Sequence, residues 1–217
     1  MIILVGGEKG GTGKSTLATN LAVEFARAGG DILIFDTDEQ KSMTNWGWLR
    51  DEDPSLGQIA MVSKTGEINK EVPKFIGKFD HIIIDAGGQE SQEIRSSLMV
   101  ADIVYSPVRP SSLDLSTLAK MDKLAEFAKT INSNLVCRII LNGCSTNPVV
   151  TDADDAEDYI NDSDFVHFTT SKVRICERAT YKHAVSCGRG VTEMEGKKAN
   201  EKASEEIRAF FKEVNNG

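Results

Sequence analysis

Short apolar runs alternate along this chain with longer stretches of helical period, and that alternation sets the expectations for its fold. MIILVGG, DILIFDTD, GQIAMVS, FDHIIIDAGG, ADIVYSPV and NLVCRIILNG are each close to continuous in apolar residues. Runs of this kind predict buried strands of a parallel sheet covered on both faces. Between them, STLATNLAVEFARAGG places Leu17, Leu21 and Phe25 at i, i+4 and i+8 and stops at Gly-Gly. DLSTLAKMDKLAEFAKTI puts Leu118, Met121, Leu124, Ala125 and Ala128 on one helix face, with Asp114 as the expected N-cap. The β–α alternation predicts a doubly wound α/β fold, a mostly parallel sheet with helices on both faces. No repeat or low-complexity linker interrupts it, so residues 1–217 are read as a single domain.

Composition narrows the classes. Of 217 residues, 40% are hydrophobic and 27% charged, the balance of a globular chain with material for a sizeable core. The 33 acids exceed the 25 Lys and Arg, for a net charge of −8. That argues against a protein coated in basic charge, though not against a local basic patch. No apolar run approaches the roughly 18 to 20 residues that cross a bilayer, and no charged leader precedes the first strand. Cys137, Cys144, Cys176 and Cys187 form neither a CxxC nor a zinc spacing, so they are read as reduced thiols of a cytoplasmic protein. The acidic stretch 152–164 fails as a calcium loop. Glu157 stands where the sharp-turn glycine belongs, and Ser163 where the bidentate acid belongs.

The chemistry concentrates where the first strand runs into Glu8-Lys9-Gly10-Gly11-Thr12-Gly13-Lys14-Ser15-Thr16. Glycines let successive backbone N–H groups turn onto an anion, and the helix that follows adds its positive N-terminal end. Lys14 is placed to reach β- and γ-phosphates, and the Ser15 hydroxyl to ligate Mg²⁺. Glu8 occupies the first glycine position of the usual G-x-x-x-x-G-K-[ST] pattern, leaving the variant K-G-G-x-G-K-[ST]. Ile82-Ile83-Ile84-Asp85-Ala86-Gly87-Gly88 adds an apolar strand ending in an acid, with Asp85 expected to hold Mg²⁺ through water and the two glycines to form a switch.

The variant loop, with its extra Lys9, resembles the deviant Walker A motif of the ParA/MinD family of P-loop ATPases. Asp36-Thr37-Asp38-Glu39-Gln40 is similar to that family's D-x-D-P-Q, with Glu39 in place of Pro. DTDEQKSMTNW, PVRPSSLDLSTL and Arg178-x-x-Tyr181-x-x-Ala184-x-x-x-Gly188-x-x-Val191-x-Glu193 look most like the short ParF-like plasmid-partition ATPases. The resemblance implies a P-loop NTPase fold that binds ATP/ADP with Mg²⁺ through residues Lys9 to Thr16 and hydrolyses ATP slowly under partner stimulation. It implies that Asp38 positions the attacking water, that Asp36 lies near the Mg²⁺ shell, and that Asn142 contacts adenine. It also implies that Lys9 crosses an ATP-bound homodimer to touch the other subunit's nucleotide. The expected partners are a ParB-like DNA-binding adaptor and nonspecific DNA, with nucleoid association and no membrane contact.

Competing functions leave different marks. An iron–sulfur reductase of this fold would carry a cysteine in the switch after Asp85, and Ala86 to Glu90 hold none. A MinD-like membrane regulator would end in a basic amphipathic helix. Here Ile207, Phe210, Phe211 and Val214 form an apolar stripe with an acidic flank, the mark of a helix docked on its own domain. An amidoligase would need a second substrate site, which no residue pattern identifies. Positioning of another cargo would use the same ATPase chemistry. Trp46 and Trp48 are read as core or interface packing rather than a partner hot spot. For DNA, Arg174, Arg178 and Lys182 recur at i, i+4 and i+8 and are expected to form one basic stripe on a helix.

Overall fold

The computed structural model describes residues 1–38, 41–87 and 92–216. Seven strands form one sheet: β1 (Ile2–Gly7), β2 (Ile32–Asp36), β3 (Ala60–Ser63), β4 (His81–Gly87), β5 (Ile103–Val108), β6 (Val136–Cys144) and β7 (Phe168–Cys176). Their order is β3-β2-β4-β1-β5-β6-β7, and every pairing is parallel. All six apolar runs become strands. The exception in burial is β3, which sits at the sheet edge and is half exposed rather than buried.

Pleating sends alternate side chains to opposite faces, and each face builds its own core. Leu4, Phe35, Ile82, Ile84, Val104 and Leu141 pack beneath α3 (Gln92–Leu98), α5 (Leu118–Lys129) and α6 (Asp152–Asp162). Ile3, Val5, Ile34, Ile83, Tyr105 and Ile140 pack beneath α1 (Lys14–Arg27), α7 (Ala179–Val185) and α8 (Glu201–Asn216). The α8 stripe does dock: Ile207, Phe210 and Val214 are buried in that second core, and Phe211 lies edge-on to Phe25. No helix among the described residues is long and apolar enough to cross a membrane.

The two tryptophans part company within α2 (Ser42–Asp51). Trp46 is fully buried and its indole N–H donates to the Arg189 carbonyl, whereas Trp48 is 64% exposed. Much of the late sequence pattern ties elements together. The Tyr181 hydroxyl donates to the Ala203 carbonyl and the Glu206 carboxylate. The Val191 N–H donates to Asn20, and Glu193 takes a two-pronged ion pair from buried Arg50.

The capping expectation is corrected. A short helix α4 (Ser112–Leu115) precedes α5, and its N-cap is Ser111, whose side chain accepts from the Asp114 N–H. Asp114 lies inside that turn, and α5 starts after Thr117.

The basic stripe is corrected as well, because its three residues share no helix. Arg174 belongs to β7, Arg178 caps α7 in extended backbone, and only Lys182 is helical. Residues 168–176 pair in parallel with β6 through an irregular, bulged register, and the chain turns into α7 only after Cys176. Both arginines are engaged. Arg174 pairs with Asp154 at 2.6 Å and with Glu157, both on α6. Arg178 pairs at 2.7 Å with Glu206 of α8, whose carboxylate also accepts from the Cys176 N–H.

Candidate nucleotide site

Parallel neighbours deliver the site to one edge of the sheet. β1 and β4 run side by side with Gly7 opposite Gly87, while Asp36 of β2 is level with Asp85 of β4. The loop after β1, the acid of β4 and the acids after β2 therefore leave the sheet together, at the carboxyl ends where open α/β sheets hold ligands. A cleft of about 400 Å³ opens there, lined by Gly10, Gly11, Gly13, Lys14, Ser15, Thr16, Asp38, Ser42 and Gly87. It brings the glycine loop and its lysine together with the water-positioning candidate Asp38 and with Gly87, which lie far from that loop in sequence.

The loop conformation depends on Gly13, which caps α1 at φ +92. A Cβ at that position would overlap the Asn142 side-chain amide, so glycine is required by both backbone and space. Asn142 donates from that amide to the Thr12 carbonyl at 2.6 Å and so fastens the loop to β6. The first turn of α1 carries no acid, leaving its amide end free of competing negative charge.

Lys14 is buried at the floor of the cleft and donates to the Lys9 carbonyl at 2.6 Å. Burial lowers its pKa, while the nearby Asp85 and Asp38 carboxylates oppose that shift. Gly87 gives it room, because a Cβ there would come within 2.9 Å of the lysine Cε.

Asp85 is the electrostatic anomaly. It is 2% exposed, and its Oδ2 is buried without a hydrogen-bond partner. Burial pushes its carboxyl up to about 7, partly offset by a hydrogen bond from Ser15. An orphaned carboxylate oxygen beside a serine hydroxyl fits a cation, and Mg²⁺ suits it because that ion takes a few protein oxygens and completes its shell with phosphate and water. Among the described residues no cluster of three or more His, Cys, Asp or Glu forms a metal cage of its own. Ser15 and Asp85 would hold the ion, and it would neutralise charge on the phosphates.

Asp36 is fully buried and spends its oxygens on organisation: Oδ2 accepts from the Thr44 N–H and hydroxyl, and Oδ1 from the Asp38 N–H. It thereby shapes the loop that presents Asp38. Glu39, Gln40 and Gly88, which belong to the expected loop and switch, lie outside the described residues.

Lys9 reaches to the side. Its ammonium is 2.6 Å from the Asp114 carboxylate of α4. Burial would raise the Asp114 pKa, but hydrogen bonds from Lys9 and Ser111 bring it below the usual carboxylate range. Sequence reasoning missed this partner, although Ser111-x-x-Asp114 is a helix-start signature that places an acid close to a helix N-terminus. It also missed the environment of Glu8, which is buried and has Lys120 of α5 at 3.6 Å.

Comparison with known proteins agrees with this geometry. Residues 3–180 match the family model described as the CobQ/CobB/MinD/ParA nucleotide binding domain. A ParA protein of Rhizobium radiobacter is 26% identical over 140 residues, 64% of this chain and 63% of that protein, so the match spans just under two thirds of that relative. The maintenance of carboxysome distribution protein A of Halothiobacillus neapolitanus is 26% identical over 208 residues, 95% of this chain and 92% of that protein. In fold, a Cyanothece McdA–ATP complex matches with a TM-score of 0.78 at 14% identity, covering 99% of this chain and 96% of that one. The Pyrococcus furiosus cell division ATPase MinD matches with a TM-score of 0.74 at 16% identity, covering 99% and 98%. With a matching family model over most of its length and the phosphate loop, buried lysine and orphaned aspartate in place, the chain belongs to the CobQ/CobB/MinD/ParA family, as a ParA/MinD-type P-loop ATPase.

Proposed function

We propose that this protein is a positioning ATPase that dimerises on ATP and Mg²⁺, engages nonspecific DNA, and segregates a DNA cargo through a ParB-like adaptor. The observation that carries the reading is the cleft lined by both Lys14 and Asp38, with Lys9 held aside by Asp114. Backbone amides of Gly10 to Thr16 and the Lys14 ammonium hold the phosphates, and Asp38 orients water towards the terminal one. Bound Mg²⁺ supplies charge neutralisation. Lys9, on leaving Asp114, reaches the nucleotide of a second subunit, and adenine lies against Asn142. The whole chain acts as one such unit, cytoplasmic and nucleoid-associated.

A second reading, positioning of a protein compartment, is supported by the carboxysome-distribution relative, which aligns along nearly the whole chain. It is further supported by the ion pairing of Arg174 and Arg178, which ties two of the three proposed DNA contacts to acids of their own chain.

The experiment is sedimentation of the wild type and of Asp38→Ala with ATP, Mg²⁺ and random-sequence DNA. The wild type should dimerise transiently and bind DNA more weakly as salt rises. Asp38→Ala should remain an ATP-loaded dimer without turnover. Hydrolysis by Asp38→Ala at the wild-type rate would remove Asp38 from its role, and an ATP dimer that ignores DNA would favour the second reading.

A further inference from the structure

Two of the four cysteines meet where β6 and β7 end. The ladder between these strands pairs Asn142 with Ile175 and then Cys144 with Cys176, so Gly143 is an extra residue on β6 that no residue of β7 opposes. It sits at φ +75, the left-handed backbone that glycine adopts without strain. This bulge decides which way the cysteine faces. Strict alternation would send Cys144 to the same face as Asn142, two residues earlier. The extra residue reverses it, and Cys144 is buried in the core beneath α3, α5 and α6, with Cys176 packed against the same cluster. The Glu177 N–H donates to the Cys144 carbonyl at 2.8 Å and holds the two strand ends side by side. Neighbouring strands lie about 4.8 Å apart, inside the range of roughly 4.4 to 6.8 Å between Cα atoms that a disulfide bridges.

The two thiols differ in access and surroundings. Cys144 is buried, whereas Cys176 is half-buried and lies beside the Arg178–Glu206 ion pair. The Cys176 thiol is hydrogen-bonded to the Glu206 carboxylate, an acceptor for the proton that the sulfur must shed before it reacts. Burial holds both thiols above their ordinary range, Cys144 at about 11, so both stay protonated and reduced at rest. The other two cysteines are placed differently. Cys137 stands opposite Phe168 in the same ladder, and Cys187 lies in the exposed turn after α7.

We propose that Cys144 and Cys176 form a modification site, a thiol pair that a hydroperoxide converts to a disulfide linking the ends of β6 and β7. Cys176 reacts first because it is the more accessible. Its sulfur attacks one peroxide oxygen, the S–O bond forms and the O–O bond breaks. The departing hydroxide becomes water with the proton that Glu206 took from the thiol. The Cys144 sulfur then attacks the sulfur of the Cys176 sulfenic acid. The S–S bond forms, the S–O bond breaks, and hydroxide leaves as water with the Cys144 proton. Two thiols are oxidised and one hydrogen peroxide is reduced to two waters, and an added dithiol reverses the change. The new bond closes the crossover through α6. It uses no nucleotide, so it stands or falls apart from the proposed function.

The test is peptide mapping of the folded, nucleotide-free protein after a short exposure to hydrogen peroxide, with free thiols alkylated before digestion. Trypsin cuts after Arg138, Lys172, Arg174 and Arg178, which leaves Cys144 in fragment 139–172 and Cys176 in fragment 175–178. The two fragments should appear as one linked mass that dithiothreitol separates. Cys144→Ser and Cys176→Ser, each checked for folding by far-UV circular dichroism, should abolish the link. Cys144→Ser should instead carry a dimedone adduct at Cys176, the trapped sulfenic acid. Cys187→Ser should form the link as the wild type does. A wild type in which both cysteines are still alkylated after peroxide, or in which oxidation appears only at Cys187, would overturn the proposal.

Discussion

Residues 8–16 and residues 174–182 both show regularly spaced polar groups, yet only the first stretch does what its spacing implies. In the phosphate loop the pattern carries its own backbone demand. Gly13 needs positive φ, the strand and helix on either side are strongly patterned, and Lys14 then has one place to go. In the later stretch the spacing of Arg174, Arg178 and Lys182 means a shared face only if the backbone is helical. It is a strand, a cap and a helix in turn. Charge periodicity becomes informative only once the element is known, whereas a glycine-rich loop between a strand and a helix defines its element.

Arg178→Ala should cost about 3 kcal/mol in chemical denaturation, because it strands the half-buried Glu206 carboxylate without its cation. Arg174→Ala should cost under about 1 kcal/mol, since its partners are more exposed and it can be replaced by water. Equal losses would contradict the distinction between a packed arginine and a surface one.

Asp85→Asn should stabilise the nucleotide-free protein by about 1–3 kcal/mol at pH 8, by removing a deeply buried charge one of whose oxygens has no hydrogen-bond partner. The sign follows from the carboxyl being held at about 7 rather than its usual 3.8. The folded chain keeps a proton there that the unfolded chain has released, so this group's contribution to stability falls as pH rises from about 4 to about 7. Thermal unfolding of the two proteins should therefore converge at acid pH. A variant less stable than the wild type at pH 8 would mean that Asp85 is compensated without a cation.

The smallest effect is expected at Asn142→Ala, which removes the hydrogen bond to Thr12 and should cost about 1 kcal/mol. Nucleotide affinity should fall a few-fold, because the loop loses a brace. An unchanged affinity would limit Asn142 to fold maintenance.

Much of the architecture was legible in sequence because apolar runs and helical stripes are local signals. All six predicted strands form, and the faces of α1, α5 and α8 pack on the core, with Leu124 and Phe211 only partly buried. The seventh strand was hidden, since FTTSKVRIC is partly polar and lies at the sheet edge, where burial pressure is one-sided. The phosphate loop and Asp85 were legible because each sits at a strand end of defined direction. Contacts formed between distant segments were not. Lys9 with Asp114, Asn142 with Thr12 and Arg178 with Glu206 depend on how crossovers stack helices, which no local spacing encodes.

Binding of nucleotide triphosphate with Mg²⁺ in the cleft at Lys14 is tested by titration calorimetry of ATP into the wild type and Lys14→Ala. Binding to the wild type should be saturable and need Mg²⁺, and affinity should fall roughly 100-fold or more in the variant, which lacks the buried ammonium that meets the phosphates. Equal affinity in the two proteins would contradict it.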